Sequence, residues 1–292
     1  MTPNVCSYAS KLLTVCFLLI AASTYGQRTM KPKLPNSDYK KFLKTQWWLG
    51  MRVGTTLSGP SAKETFSSID PIDYEVEDLS KTYSKYKNPG VLIGLDLTFY
   101  HRGVSAGIQP TFKQLIYGYS SLLQWEGTTP EQTFESSYDS KQKLNYLDIP
   151  FILKFDILTD GKIRPFVGGG VNYAFNIGAE KETSIVNTDN TSGTPRSYDA
   201  GNFVVNNQDQ FKNFFGMKFG GGVSFDYFNI RTAIDVFYNL GFTNVSDENA
   251  RYELNELTTL GDVNDDLNLN HLSVAVSFLF PLRYIDNTFQ PY

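Results

Sequence analysis

Residues 144–157 read L-N-Y-L-D-I-P-F-I-L-K-F-D-I. In an extended chain Leu147, Ile149, Phe151, Leu153 and Phe155 share one face. Tyr146, Asp148, Pro150, Ile152, Lys154 and Asp156 share the other. Apolar residues at period 2 make a β-strand. The strand alone leaves open which face is inside. In a soluble sandwich or lipocalin-like barrel the apolar row packs a core. In a membrane barrel it faces lipid and the charged row faces the lumen.

The N-terminus narrows the choice. Lys11 precedes an apolar run from Leu12 to Ala22, followed by the small residues Ser23, Thr24 and Gly26. The run is about 11 residues, well short of the ~20 a helix needs to cross a bilayer. This is the layout of a secretory signal peptide over residues 1–26, with cleavage after Gly26. Both cysteines, Cys6 and Cys16, fall inside it, so the mature chain is expected to have no disulfide and no thiol chemistry. No later run is apolar enough for a membrane helix, so a membrane-embedded chain must be a closed barrel. The net charge of −4 comes without a basic stripe, which argues against nucleic-acid binding.

Seven further stretches alternate like the first, giving eight strands: Gln46–Ser58, Pro89–His101, Val104–Tyr117, Lys143–Ile157, Lys162–Ala179, Phe211–Asp226, Asn229–Phe242 and Asn270–Leu282. Tight connections at His101-Arg102-Gly103-Val104, Leu158-Thr159-Asp160-Gly161 and Tyr227-Phe228-Asn229 alternate with long ones. The long ones are Gly59–Asn88, Gly118–Gln142, Glu180–Gln210 and Thr243–Leu269. Short turns at one end and long loops at the other characterise an outer-membrane barrel, and an even strand count puts both termini on the periplasmic side. The expected fold is all-β: an eight-stranded antiparallel up-and-down barrel over 46–282 with four long extracellular loops. A periplasmic segment at 27–45 and a periplasmic tail at 283–292 flank it.

With the apolar rows facing lipid, the second faces line a lumen just wide enough for side chains to fill. The charges that fall there are Arg52, Asp96, Lys113, Asp148, Lys154, Asp156, Arg164, Lys218, Arg231 and Asp235. Both signs are present, so the expectation is a salt-bridged plug rather than an open channel. Gly168-Gly169-Gly170 and Gly220-Gly221-Gly222 make room for large neighbours; neither is a phosphate loop, since no G-K-[ST] or helix follows. Pro110, Pro150 and Pro165 oppose a closed ladder, because proline lacks the donor, and bulges are the expected remedy.

Three segments then carry a family resemblance: Y-L-D-I-P-F-I-L-K-F (146–155), R-P-F-V-G-G-G-V-N-Y (164–173) and F-Y-N-L-G-F-T-N-V (237–245). In this order they resemble the PorT-like outer-membrane β-barrel family of Bacteroidota, over about Gln46 to Leu282. The resemblance implies an eight-stranded outer-membrane barrel and treats Pro150 as a family feature. It implies no reaction and no cofactor. The founding member is associated with type IX secretion.

Chemistry is sparse. His101 is expected at a periplasmic turn and His271 near the outer rim, on opposite sides of the membrane, so a His-based triad or two-His metal site is not expected. Ser273 shares a face with His271, which is all an enzymatic reading has. The last long loop holds seven acids (Asp247, Glu248, Glu253, Glu256, Asp262, Asp265, Asp266) and one base, Arg251. Asp262, Asn264 and Asp266 have the spacing of a calcium loop but lack its glycine and its closing glutamate, so a solvated acidic loop is the expectation. Trp47, Trp48, Tyr117, Tyr173 and Trp125 lie near strand ends or in loops, the strand-end members as an interface girdle. The reading is a non-enzymatic barrel whose partners are outer-membrane lipid and a protein bound through the long loops or periplasmic termini. An accessory role in a type IX-like secretion machine is the alternative, and a lipid-modifying enzyme the third.

Overall fold

The computed structural model describes residues 45–66, 81–126, 132–158, 163–191, 194–227, 230–252 and 262–282. The expected signal peptide, nearly all of the segment 27–45, and the tail 283–292 lie outside these residues, as do residues 159–162 and 228–229 of two tight turns. The strands are β1 (Thr45–Glu64), β2 (Thr82–Ser84), β3 (Pro89–His101), β4 (Val104–Ile108), β5 (Thr111–Glu126), β6 (Thr133–Asp156), β7 (Ile163–Asp189), β8 (Arg196–Asn206), β9 (Phe214–Tyr227), β10 (Ile230–Gly241) and β11 (Asp266–Pro281).

These strands close an eight-walled antiparallel barrel. The walls run β1, β3, β4 with β5, β6, β7, β9, β10 and β11, and β11 pairs back onto β1. Closure leaves no unpaired edge within the ring. At the short-turn end His101 pairs with Val104 around Arg102 and Gly103. Both have positive φ, 46° and 89°, as a two-residue hairpin turn requires.

The opening stretch resolves outward. Leu147, Ile149, Phe151, Leu153 and Phe155 are 39–49 % exposed, while Tyr146, Asp148 and Ile152 are buried inside the ring. On β6 the outward apolar row stops at Leu147; Asn145, Lys143 and Lys141 follow it. The same belt continues in Val91, Ile93, Leu95 and Leu97 on β3 and in Phe215, Met217 and Phe219 on β9.

Two of the expected long loops are corrected. Gly118–Gln142 is a continuous hairpin in which Glu126 still pairs with Thr133, and much of Glu180–Gln210 is strand, with β7 reaching Asp189 and β8 laid along it. The alternation persists there but neither face is consistently apolar. Beyond the belt the outward residues meet water and the inward ones mix Tyr, Ser, Thr and Lys with Leu123 and Ile185, so no apolar row announces a strand. Above the ring, β2 extends the sheet beside β5 and β8 extends it beside β7.

The prolines sit where a donor is dispensable. The expected strand 104–117 is interrupted at Gln109-Pro110 into β4 and β5 without the expected bulge: the register to β3 and to β6 is the same on both sides, and Leu95 N–H still donates to Pro110 O (2.9 Å). Pro150 lies opposite that break: Gln109 N–H donates to Pro150 O at 3.1 Å. A strand residue's N–H and C=O point to the same neighbour, so the donor Pro150 lacks would face the Gln109 carbonyl, which accepts from the Thr111 hydroxyl instead (2.6 Å). Pro165 O likewise accepts from Ile157 N–H at the end of the β6 ladder. Gly220 and Gly222 make room mainly for backbone: a Cβ there would collide with the carbonyl oxygens of Val236 and Ile234 on β10, and only Gly222 also spares a side chain, the Phe166 ring.

Candidate functional site

The interior is filled in layers. Nearest the short turns, Arg231 lies between the rings of Trp48 and Tyr100, its guanidinium carbon 4.5 Å from each centroid. Its Nε donates to Asp226 (2.9 Å), and Arg164 binds the same carboxylate. Lys154 sits over the Phe166 ring at 5.0 Å, and Asp156 is half-buried nearby. Asp226 is the carboxylate the sequence reading missed. It shares inward parity with Lys218 and Ser224, and that parity was the available signal.

The next layer joins Arg52 to Asp235 at 3.1 Å. Arg52 also donates to the Gln109 side-chain oxygen, and Gln109 Nε2 donates to Asp96 (2.6 Å), which Thr98 also approaches at 2.5 Å. Parity with Ser105, Thr111 and Lys113, unbroken at Gln109-Pro110, aims Gln109 into the lumen as a bridge between Arg52 and Asp96. Among the described residues no cation pairs directly with Asp96.

Above this, Asp148 is shared. Lys113 reaches it at 2.5 Å, Lys218 at 3.5 Å, and Asn172 donates to its other oxygen at 2.6 Å. His271 is corrected from the rim to this buried layer, because β11 begins five residues earlier, at Asp266. Lys113 Nζ lies 3.2 Å from His271 Nε2. An ammonium only donates, so Nε2 is the acceptor and the ring proton sits on Nδ1. Asn239 Nδ2 is the amide atom 3.4 Å from Nδ1; with the amide turned over, its oxygen would face that N–H. Ser273 instead donates to Phe237 O (3.1 Å), so His271 and Ser273 have separate partners. His101 is exposed at the short-turn end.

An apolar plug follows, with Leu115, Tyr117, Leu144, Tyr146, Phe214, Val245 and Leu269 among its members. Beyond it, outside the lipid-facing belt, lies a second buried polar cluster. Asp265 accepts from Lys81 (2.7 Å), the Tyr83 hydroxyl (2.6 Å) and Phe66 N–H (2.9 Å). Asp262 accepts from the Tyr119 hydroxyl (2.8 Å) and Lys181 (3.4 Å); Asn264 accepts from Lys181 (2.7 Å). Burial pushes the Tyr83 and Tyr119 phenols well up, and the adjacent Asp265 and Asp262 carboxylates push the same way. Burial lowers Lys181 against the opposing pull of Asp262.

This cluster corrects the solvated-loop expectation and bears on the calcium-like spacing. Among its described residues the last long loop is not uniformly solvated: Asp262 and Asp265 are 4 % and 0 % exposed, Asp266 and Asp247 pair with Arg251 and Lys212, and Glu248 is exposed, while Glu253 and Glu256 lie outside the described residues. Nor do Asp262, Asn264 and Asp266 converge. The first two are engaged by Lys181 and its neighbours, the third by Arg251, and among the described residues no group of three acidic, histidine or cysteine side chains is placed to hold a metal.

The model of the outer membrane protein β-barrel domain matches residues 36–247. The chain belongs to that family. No curated protein matches the sequence. Among solved structures, Neisserial surface protein A is similar over 79 % of this chain and 95 % of its own, at 10 % identity and a TM-score of 0.30. The Yersinia pestis attachment invasion locus protein Ail is similar over 80 % and 99 %, at 9 % identity and 0.28. The E. coli outer membrane protein W gives 80 % and 97 %, 12 % identity and 0.30.

An outer-membrane barrel meets lipid with its outward face, which sorts the expected girdle. Trp47 and Tyr173 are exposed on that face. Trp48 and Tyr117 are buried inside, because parity with Arg52 on β1 and with Lys113 on β5 turns them inward. Trp125 lies beyond the belt, packed against Leu123, Tyr138 and Ile185.

Proposed function

We propose that this outer-membrane barrel is a non-enzymatic binding protein with a solid lumen. Its projecting sheet of β2, β5, β6, β7 and β8 stands outside the cell as a recognition platform, and both termini are periplasmic. The observation behind this reading is the layered interior. Ion pairs, an apolar plug and a second ionic cluster follow one another along the barrel axis, while the sheet above the belt presents in-register polar rows such as Ser120, Asp139, Ser184 and Asn202. His271 serves as acceptor to a buried lysine, so it is not a free base.

The PorT-like resemblance supports a Bacteroidota-type member, but its motif residues have structural work here. Asp148 is the shared counter-ion, Pro150 O accepts from Gln109 N–H across the interrupted strand, and Asn244 Oδ1 accepts from Ser246 and Leu267 N–H. These roles account for the motif without a secretion machine. An epitope placed within residues 127–131 should be reached by antibody on intact cells. Exclusion until the outer membrane is permeabilised would reverse the orientation. Purified protein in planar bilayers should show no stepwise conductance, and steady channels would refute the solid lumen.

A further inference from the structure

A groove of about 520 Å³ lies on the outside of the barrel, lined by residues that include Tyr173, Asn176, Asp209, Phe211, Lys212 and Asn213. Its position is what gives it meaning. Below it the outward residues are lipid-facing aromatics: Tyr173 and Phe175, packed edge to face at 4.8 Å, and Phe215, which shares a register with Tyr173. Beyond it the outward residues of β7 are Glu180 and Glu182. The groove thus straddles the boundary where the apolar belt gives way to water.

The groove is also built. A bulge in β7 leaves Ile177 unpaired between Asn176 and Gly178, the partners of Tyr146 and Asn145. This frees Asn176 to act as a clamp. Its side chain donates to Gln208 O (3.0 Å) and Phe211 O (2.9 Å), and its N–H donates to Asn213 Oδ1 (2.8 Å). Lys212 is fixed through its backbone: its N–H donates to Val245 O (2.7 Å), and its carbonyl accepts from the Tyr146 hydroxyl (3.3 Å) from inside the barrel. Bulges recur where a strand must re-aim side chains toward a site.

The groove wall carries one charge of each sign. Lys212 Nζ is 3.2 Å from Asp247 and 40 % exposed, with N–H donors to spare. The Asp209 carboxylate is exposed. We propose that this groove binds a membrane lipid whose headgroup carries both a phosphate and an ammonium. The phosphate meets Lys212, the ammonium meets Asp209, and the acyl chains descend over Tyr173, Phe175 and Phe215. A purely anionic headgroup would satisfy Lys212 and be repelled by Asp209 and Asp247. The aromatic shelf and the polar groove together match an amphipathic ligand better than a soluble one.

Native mass spectrometry of the delipidated full-length protein in detergent tests this. The probes are phosphatidylethanolamine, phosphatidylglycerol and water-soluble phosphoethanolamine. One added charge contact at an exposed site should favour phosphatidylethanolamine over phosphatidylglycerol by about fivefold. Asp209→Asn should abolish that preference while leaving phosphatidylglycerol binding no weaker, and Lys212→Met should weaken both lipids. Heat-modifiable gel mobility of each variant guards against misfolding. Equal binding of the two lipids by the unaltered protein would overturn the proposal. So would a preference that survives Asp209→Asn, or phosphoethanolamine competing as well as the intact lipid. None of these outcomes depends on which way the barrel faces, so the epitope experiment stands or falls separately.

Discussion

The barrel holds two buried ionic clusters, one at membrane depth and one in the mouth, and they differ in where their charges come from. Around Asp148 every partner is a strand residue: Lys113 on β5, Lys218 on β9, Asn172 on β7. In the mouth, bases on or beside strands meet acids from a connection, as when Lys181 on β7 meets Asp262 and Lys81 meets Asp265. Strand charges are fixed by the register of a closed ring and cannot leave without opening it. Loop acids sit outside the ladder, held by scattered bonds such as Ser246 Oγ to Asp265 O (2.5 Å). The same chemistry should therefore support global stability in one region and local order in the other.

The largest effect should come from Asp148→Ala. It strands Lys113 and Lys218 in a water-poor lumen, which typically costs ~3–5 kcal/mol. Urea titration in lipid vesicles, read by heat-modifiable mobility, should show the loss. Replacing Lys113, Asp148 and Lys218 together with apolar residues of similar volume should restore much of it. An unchanged midpoint for Asp148→Ala alone would mean that water reaches the lysines and the lumen is wetter than its burial indicates.

Phe151→Arg probes the opposite face of the same strand. Near the bilayer midplane it should cost ~2–4 kcal/mol by the same assay in vesicles. In detergent the penalty should shrink, whereas that of Asp148→Ala should persist, because one depends on lipid and the other on the lumen.

This contrast also marks what could be read from the sequence. Within the belt two environments alternate residue by residue, so parity assigned Phe151 to lipid and Asp148 to the lumen without any contact being known. Parity extended a little further would have moved Trp48 and Tyr117 inside. Above the belt the outward face meets water, Ser120 and Asp139 alternate with Tyr119 and Ser140, and polarity ceases to separate in from out. The Gly118–Gln142 hairpin was therefore invisible as strand. The pairing of Asp262 with Lys181 was hidden for another reason: the two lie 81 positions apart, and only the folded loop brings them together. Acids counted along a loop look solvated until their distant bases are in view.

Breaking the mouth cluster should act locally. Asp262→Ala removes the acceptor of the Tyr119 hydroxyl and a partner of Lys181, at about 1–3 kcal/mol. Hydrogen exchange should rise around 117–119 and 262–269, while the urea midpoint of the barrel hardly moves. A matching fall in the midpoint would make the mouth part of the global fold and erase the distinction. Alkaline pH tests the same region. Tyr83 and Tyr119 have raised folded values, so the stability from keeping them neutral is intact below ~10, the ordinary phenol value, and falls as pH rises above it. Lys181 works in reverse, since its lowered folded value means that burying its charge costs less as pH climbs toward ~10.4. Above ~10.4 the lysine's gain is complete while the loss from the phenols continues, so exchange in the mouth should accelerate there before the barrel opens.

The smallest effect should belong to a pair with better geometry than most of those inside. Lys143 and Glu180 meet at 2.6 Å on the outward face just beyond the belt, with side chains 30 % and 46 % exposed. Their hydrogen bond raises Lys143 above its ordinary value, so whatever the pair contributes is present below ~10.4 and lost as pH rises through the folded value. Water screens both groups, and Glu180→Gln should cost no more than ~1 kcal/mol, shrinking further in salt. The pair is nearly as short as Lys113–Asp148, so a comparable loss at both sites would show that distance governs these interactions. A large difference at equal distance would show instead that the barrel's stability is set by where its charges are enclosed.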